Sequence, residues 1–140
     1  MKSALDTDVL TLILAGYEPY RQRVDAIAVH HQYVPIVTRE EQIRGRLNVI
    51  RQSESGKAKL SLPEAYGRLQ DLLQDSRRFQ ILPFTPDAQQ LVETWRAARI
   101  RVGTQDLRIA AICIAQNAKL VSRNKRDYEQ VPGLTLEVWN

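Results

Sequence analysis

Cysteine is nearly absent from this 140-residue chain: the one present, Cys113, has no partner for an internal disulfide. Only two histidines occur, His30 and His31, and no Cys/His pattern completes a zinc site. Aromatic residues make up just 6% and are not spaced as a platform for stacking successive bases. No apolar run approaches the roughly 18 residues of a membrane-spanning helix, and Asp6 interrupts the N-terminus before a signal-peptide core can form. There is no internal repeat, no low-complexity tract and no basic or acidic tail. These absences predict a soluble, cytoplasmic protein with no membrane partner.

What is present suits one compact domain spanning 1–140. Hydrophobic residues are 44% of the chain and charged residues 26%. A chain of this length buries roughly two-thirds of its unfolded surface. Twenty Lys+Arg against 16 Asp+Glu give a net charge of +4. Each half, 1–70 and 71–140, carries ten basic and eight acidic side chains, hence +2 apiece. Fifteen of the 20 cations are arginines, whose planar fork suits phosphate. The excess permits a polyanionic partner without requiring one.

Short apolar strands alternate with helical patterns. Strands are expected at Ser3–Asp6, Tyr33–Val37, Phe79–Leu82, Lys119–Ser122 and Leu134–Val138. Pro35 suggests an edge or a strand start. Helices are expected from about Asp8 to Gly16, from Pro19 to His30, and from Thr38 through Ile43, Leu47 and Ile50. Ser61 with Glu64 forms a capping box for another helix, striped by Leu62, Ala65, Tyr66, Leu69, Leu72 and Leu73. Thr85-Pro86-Asp87 opens the next helix, and a nearly all-apolar helix runs from Leu107 to Gln116. Gln52–Lys59 reads as a polar loop. Alternation of this kind implies an α/β, three-layer α/β/α fold with a central, mainly parallel sheet.

Ligands of open parallel sheets collect beyond the carboxyl ends of the strands. Asp6 ends the first strand, Glu40 and Glu41 follow the second, Asp106 opens the apolar helix, and Asp127 follows the Lys119–Ser122 strand. Gathered on one edge, such acids cannot all stay ionised without a neutralising partner. The partner that prefers carboxylate oxygen is a hard divalent cation, Mg2+ or Mn2+. Each acid also has a structural role open to it. Asp8 can cap the first helix, Thr38 and Glu41 can form a capping box, Asp106 can complement a helix dipole, and Asp127 can be solvated beside Lys125 and Arg126. Thr104 is placed to cap the helix that Asp106 opens or to hydrogen-bond a metal-bound water.

Four stretches carry a resemblance to a known family. They are Leu5-Asp6-Thr7-Asp8-Val9-Leu10, Val37-Thr38-Arg39-Glu40-Glu41-Gln42-Ile43-Arg44-Gly45, Asp106-Leu107-Arg108-Ile109-Ala110-Ala111, and Leu120 to Tyr128 continuing through Val131-Pro132-Gly133-Leu134 to Trp139. In this order and spacing the chain resembles the PIN-domain ribonucleases, and within them the toxin component of VapBC-type type II toxin–antitoxin modules. The resemblance implies an endoribonuclease that cleaves RNA phosphodiester bonds with metal-activated water. It also implies Mg2+ or Mn2+ held by Asp6, Glu41, Asp106 and Asp127, a cognate VapB-like antitoxin, and a homodimer. The first helices and the Gln52–Lys59 loop are where the family docks its antitoxin or a second copy. Asp8 stands where the family usually has asparagine, Glu40 competes with Glu41, and Asn124 competes with Asp127.

Arg123, Lys125, Arg126 and Arg44 are candidate contacts to RNA phosphates. Two alternatives compete. Asp6-x-Asp8 also resembles the opening of haloacid-dehalogenase-like phosphatases, although Leu10 departs from that motif. The other is a catalytically inactive PIN-like module that only binds RNA or protein.

Overall fold

The computed structural model describes all 140 residues. Five strands, β1 (Lys2–Leu5), β2 (Gln32–Pro35), β3 (Gln80–Leu82), β4 (Ala118–Ser122) and β5 (Leu136–Val138), form one sheet in the order β3-β2-β1-β4-β5. Every pairing is parallel, with Leu5 beside Val121 and Val34 beside Ile81. From β1 the chain builds outward through β2 and β3, then returns to place β4 and β5 on the other side. The reversal falls between β1 and β4, where a crevice opens at the strands' carboxyl ends.

Seven helices connect the strands: α1 (Thr7–Leu14), α2 (Glu18–Asp25), α3 (Ile36–Glu54), α4 (Leu62–Asp75), α5 (Pro86–Ala97), α6 (Thr104–Ala115) and α7 (Lys125–Tyr128). Successive strand residues point to opposite faces. Ala4 therefore joins the core formed with α5 and α6, and Leu5 joins the core formed with α1 and α2. Leu107 and Ile109–Cys113 are all buried, as the apolar α6 sequence predicts. Asn117, in the left-handed region at φ 52°, ends α6 and turns the chain into β4. The layering agrees with the α/β/α expectation.

Several local boundaries differ. The expected helix to His30 stops at Asp25, and Val29–His31 is a separate 3-10 turn. Here Gln32, buried at the start of β2, donates its amide to the carbonyls of Val24 (3.0 Å) and Ile27 (2.9 Å), satisfying the chain between α2 and the sheet. Pro35 is neither on an edge strand nor at a strand start: it is the last residue of an interior strand, where its missing N–H ends the ladder. Ile36 and Val37 accordingly belong to α3 rather than to the strand. At its other end α3 continues through Glu54, so the polar loop shortens to 55–61, because Gln52, Ser53 and Glu54 extend the helical ladder at a solvated end. The capping box of Ser61 and Glu64 forms as read. The α4 stripe does not fully bury: Ala65 and Leu72 are covered, whereas Leu62, Tyr66 and Leu73 are exposed, since α4 packs chiefly on α3 and little else lies over it.

Candidate active site

β1 delivers Asp6 to the crevice. The Asp6 amide donates to the Val121 carbonyl (2.9 Å), continuing the β1–β4 ladder one residue past the strand. The side chain then caps α1 by accepting from the Thr7 amide at 2.9 Å. The cap is thus Asp6 and not Asp8, which lies exposed in the first turn. Asp6 is only 6% exposed, and a second oxygen accepts from the Ser122 hydroxyl at 2.7 Å. Ser122 ends β4 and is itself held by the Asn124 amide at 3.0 Å.

Asp106 arrives from the first turn of α6. The hydroxyl of the buried Tyr128 lies 3.1 Å from an Asp106 oxygen and 3.3 Å from an Asp6 oxygen. One phenol has one proton, so it donates to one carboxylate at a time. The same two acids push that phenol well above its ordinary value, together with burial, the largest cause, so it remains a donor. Burial raises Asp6 from 3.8 to about 6, against the Ser122 and Thr7 hydrogen bonds and with help from Asp106 and Asp8. Asp106 is also raised, first by burial, against the Tyr128 hydrogen bond and with Asp127 and Asp8 adding repulsion. None of the chain's three salt bridges involves these acids.

Glu41 reaches the same edge from α3. Its oxygen accepts from the Thr7 hydroxyl at 2.6 Å, and Thr7 is covalently next to Asp6. Because α3 starts at Ile36, neither Thr38 nor Glu41 belongs to a capping box; Thr38 lies 3.4 Å from Thr7 instead. Its neighbour Glu40 turns away, paired with Arg44 at 2.6 Å and accepting from Gln105 at 3.0 Å. Arg44, read as a phosphate contact, is exposed and pairs here with Glu40. Asp127 sits in the first turn of α7, where Asn124 caps its amide at 3.2 Å and donates to its carboxylate at 3.0 Å. Arg123, Lys125 and Arg126 are exposed beside it with no ion-pair partner. Thr104 does not cap α6: Gly103 takes that position, and the Thr104 hydroxyl accepts from Arg96.

No three His, Cys, Asp or Glu side chains are drawn together tightly enough to grip one ion in this arrangement. The reason is local: Glu41 is held by Thr7 and Asp127 by Asn124. The donor set nevertheless fits a hard divalent cation. It is all oxygen, it carries excess negative charge with no lysine or arginine partner, and burial, with a smaller share from mutual repulsion, pushes Asp6 and Asp106 up. Thr7, Ser122 and Tyr128 are the polar residues that reading the acids alone passes over. The signal for Ser122 was its place at the end of a central strand, one residue past Val121, the partner of Leu5, and so level with Asp6.

Sequence comparison decides the family, since the sequence model of the PIN domain matches residues 4–134. The chain belongs to the PIN domain family. That membership sets aside the phosphatase alternative. The chain is similar to ribonuclease VapC2 of Rickettsia felis, 44% identical over 39 residues, a stretch covering 28% of this chain and 29% of that relative. Among solved structures, the DNA-bound VapBC of Salmonella typhimurium superposes with a TM-score of 0.79 at 23% identity, covering 100% of this chain and 99% of the other. VapBC2 of Rickettsia felis, bound to a promoter DNA fragment, gives 0.76 at 22% identity with full coverage of both. VapBC-1 of nontypeable Haemophilus influenzae gives 0.77 at 16% identity, covering 99% and 98%. At these identities the superpositions establish a shared PIN fold.

Proposed function

We propose that this chain is a metal-dependent endoribonuclease, the toxin of a VapBC-type toxin–antitoxin pair, acting through Asp6, Glu41, Asp106 and Asp127. The observation that carries the reading is the Tyr128 hydroxyl set between Asp6 and Asp106, residues a hundred positions apart, neither of them paired with a lysine or arginine. Nothing in the fold requires two carboxylates to share one hydroxyl there, and their mutual repulsion costs stability. The similarity to ribonuclease VapC2 of Rickettsia felis and to a toxin-antitoxin complex from Klebsiella pneumoniae supports the same reading.

A bound Mg2+ or Mn2+ would supply Lewis acidity to the scissile phosphate and lower the pKa of attacking water. The chain's own residues do the rest. Asp6 and Asp106 present oxygens fixed by Ser122, the Thr7 amide and Tyr128, so their geometry is set before substrate arrives. Glu41 and Asp127, each on a single side-chain partner, are free to turn inward by exchanging one hydrogen bond. Arg123, Lys125 and Arg126 lie beside the crevice and hold the RNA backbone. The uncovered Leu62, Tyr66 and Leu73 of α4 offer apolar surface to the antitoxin.

Parallel RNA digestions with Mg2+, Mn2+ and EDTA test the assignment. Wild type should cut only with metal, and Asp6→Asn should not cut. Equal cleavage by both proteins overturns the site; folded, metal-binding wild type that cuts no RNA leaves the inactive binding module as the reading.

A further inference from the structure

A second concavity lies on the α3–α6 side of the acids. This cleft, of about 510 Å3, lies between the start of α3, the segment after β3, α5 and α6. Its volume falls in the range of pockets that take small organic groups. Val37, the half-buried ring of Phe84, and Val92 form an apolar floor, and Glu93, Arg96 and Arg108 supply polar groups.

The cleft and the acid edge share two helix starts. On α3, Glu41 faces Thr7 and the neighbouring Glu40 lines the cleft. On α6, Asp106 faces Tyr128, and the preceding Gln105 donates to Glu40 at 3.0 Å. Arg108 completes the chain by donating to Gln105 at 2.8 Å. A strand lying across the acids therefore has this cleft as its next stop on that side.

The charges in the cleft are unevenly used. Arg96 and Arg108 donate to a hydroxyl and an amide, respectively, and neither pairs with a carboxylate. Two uncompensated guanidiniums beside an acidic crevice complement the phosphates that flank a bound one. Glu40 is consumed by Arg44 and Gln105. Glu93 accepts only from Gln89, at 3.3 Å, which leaves one oxygen open.

Resting on the nuclease reading above, we propose that this cleft receives one base of the RNA next to the cleaved bond. The base stacks on Phe84 and presents a hydrogen-donating edge to Glu93, while Arg96 and Arg108 hold its phosphates. A carboxylate accepts from the amino group of cytosine or adenine or from the adjacent N–H donors of guanine, and it repels the two carbonyl oxygens that flank the single N–H of uracil. The cleft is therefore specificity-determining, and Phe84 and Glu93 are its readers. A lone aromatic in a cleft does for one base what a spaced series does for several.

The test uses the full chain with Mn2+ and a randomised RNA, sequencing the cut ends. Wild type should disfavour uracil relative to guanine, cytosine and adenine at one position flanking the cut. Glu93→Gln, an exposed substitution that leaves the fold alone, should relax that preference by about tenfold. Phe84→Ala should lower kcat/KM by roughly 10–100-fold, the worth of one stacked base. Binding of the four nucleoside monophosphates, followed by NMR at Phe84 and Glu93, gives a readout independent of cleavage. Wild type should bind guanosine, cytidine and adenosine monophosphates there more tightly than uridine monophosphate, and Glu93→Gln should lose the discrimination. Wild type and Glu93→Gln cutting with the same base frequencies would overturn the cleft assignment while leaving the nuclease intact. If Glu93→Gln and Phe84→Ala weaken only antitoxin binding, the cleft is a protein-docking site and the proposal falls. Wild type that cuts nothing removes the nuclease reading and the cleft reading with it.

Discussion

Glu137 on β5 and Asp6 after β1 are two acids of the same sheet, treated in opposite ways. Glu137 accepts from Lys119 at 2.8 Å and from the Trp139 indole at 2.6 Å, and Lys119 holds its carboxyl below the usual range. Asp6 is buried, meets no cation, and is pushed up to about 6. The first acid is at rest in the folded chain. The second is held by neutral donors, Ser122 and the Thr7 amide, that fix its position without neutralising it. Neutral donors that fix a buried acid without neutralising it are what the proposed metal site calls for, and the Lys119 pair leaves Glu137 no such role.

The largest effect should come from removing the unpaired charge. Asp6→Asn is expected to cut RNA at least about 100-fold more slowly than wild type, the scale on which preorganised charge stabilisation is lost. A gel assay with Mn2+ in excess measures it.

The same substitution should stabilise the metal-free protein, by at most about 3 kcal/mol at neutral pH, which is the linkage value of a carboxyl raised from 3.8 to about 6. Folded Asp6 binds its proton more tightly than unfolded Asp6. Its cost is therefore absent below pH 3.8, grows as pH rises, and is complete above about 6. Urea denaturation in EDTA should show wild type losing stability across that window and Asp6→Asn losing much less. Adding Mn2+ should raise the Tm of wild type at pH 7 and leave that of Asp6→Asn nearly unchanged.

Tyr128→Phe sharpens the contrast from within the site. It keeps the buried ring and deletes the one hydroxyl that Asp6 and Asp106 share. A loss of about 1–2 kcal/mol in metal-free stability is expected, partly restored by Mn2+, and thermal melts with and without the ion measure it.

Glu137→Gln marks the small end. The Lys119 pair is partly exposed, so its loss should cost less than about 1 kcal/mol and leave RNA cleavage unchanged. An effect on cleavage as large as that of Asp6→Asn would erase the distinction between the two acids.

Much of this arrangement can be read without coordinates, for reasons that differ by element. β1 and α6 declare themselves because short apolar runs and an almost wholly apolar helix suit only a covered parallel sheet. Ser61-Leu62-Pro63-Glu64 specifies its helix start locally, through a hydroxyl and a carboxylate three residues apart, and the structure shows that box. Thr38 and Glu41 offer the same local pattern and do not use it. Val37 is buried against α6, so packing starts the helix two residues earlier and releases Glu41 toward Thr7. The α4 stripe misleads in the other direction, since periodicity marks which face is apolar and not whether anything covers it.

The residues alone determine the layered α/β plan, the family, and the acids placed at strand and helix ends, because periodicity, capping chemistry and short motifs act over a few neighbours. Only the folded molecule decides that Tyr128 stands between Asp6 and Asp106, that Ser122 steadies the first of them, and that Glu40 and Glu41 part to line two different hollows. Those outcomes depend on the order in which β1 and β4 lie side by side and on the pitch of α3. Both are set by packing between segments far apart in the chain.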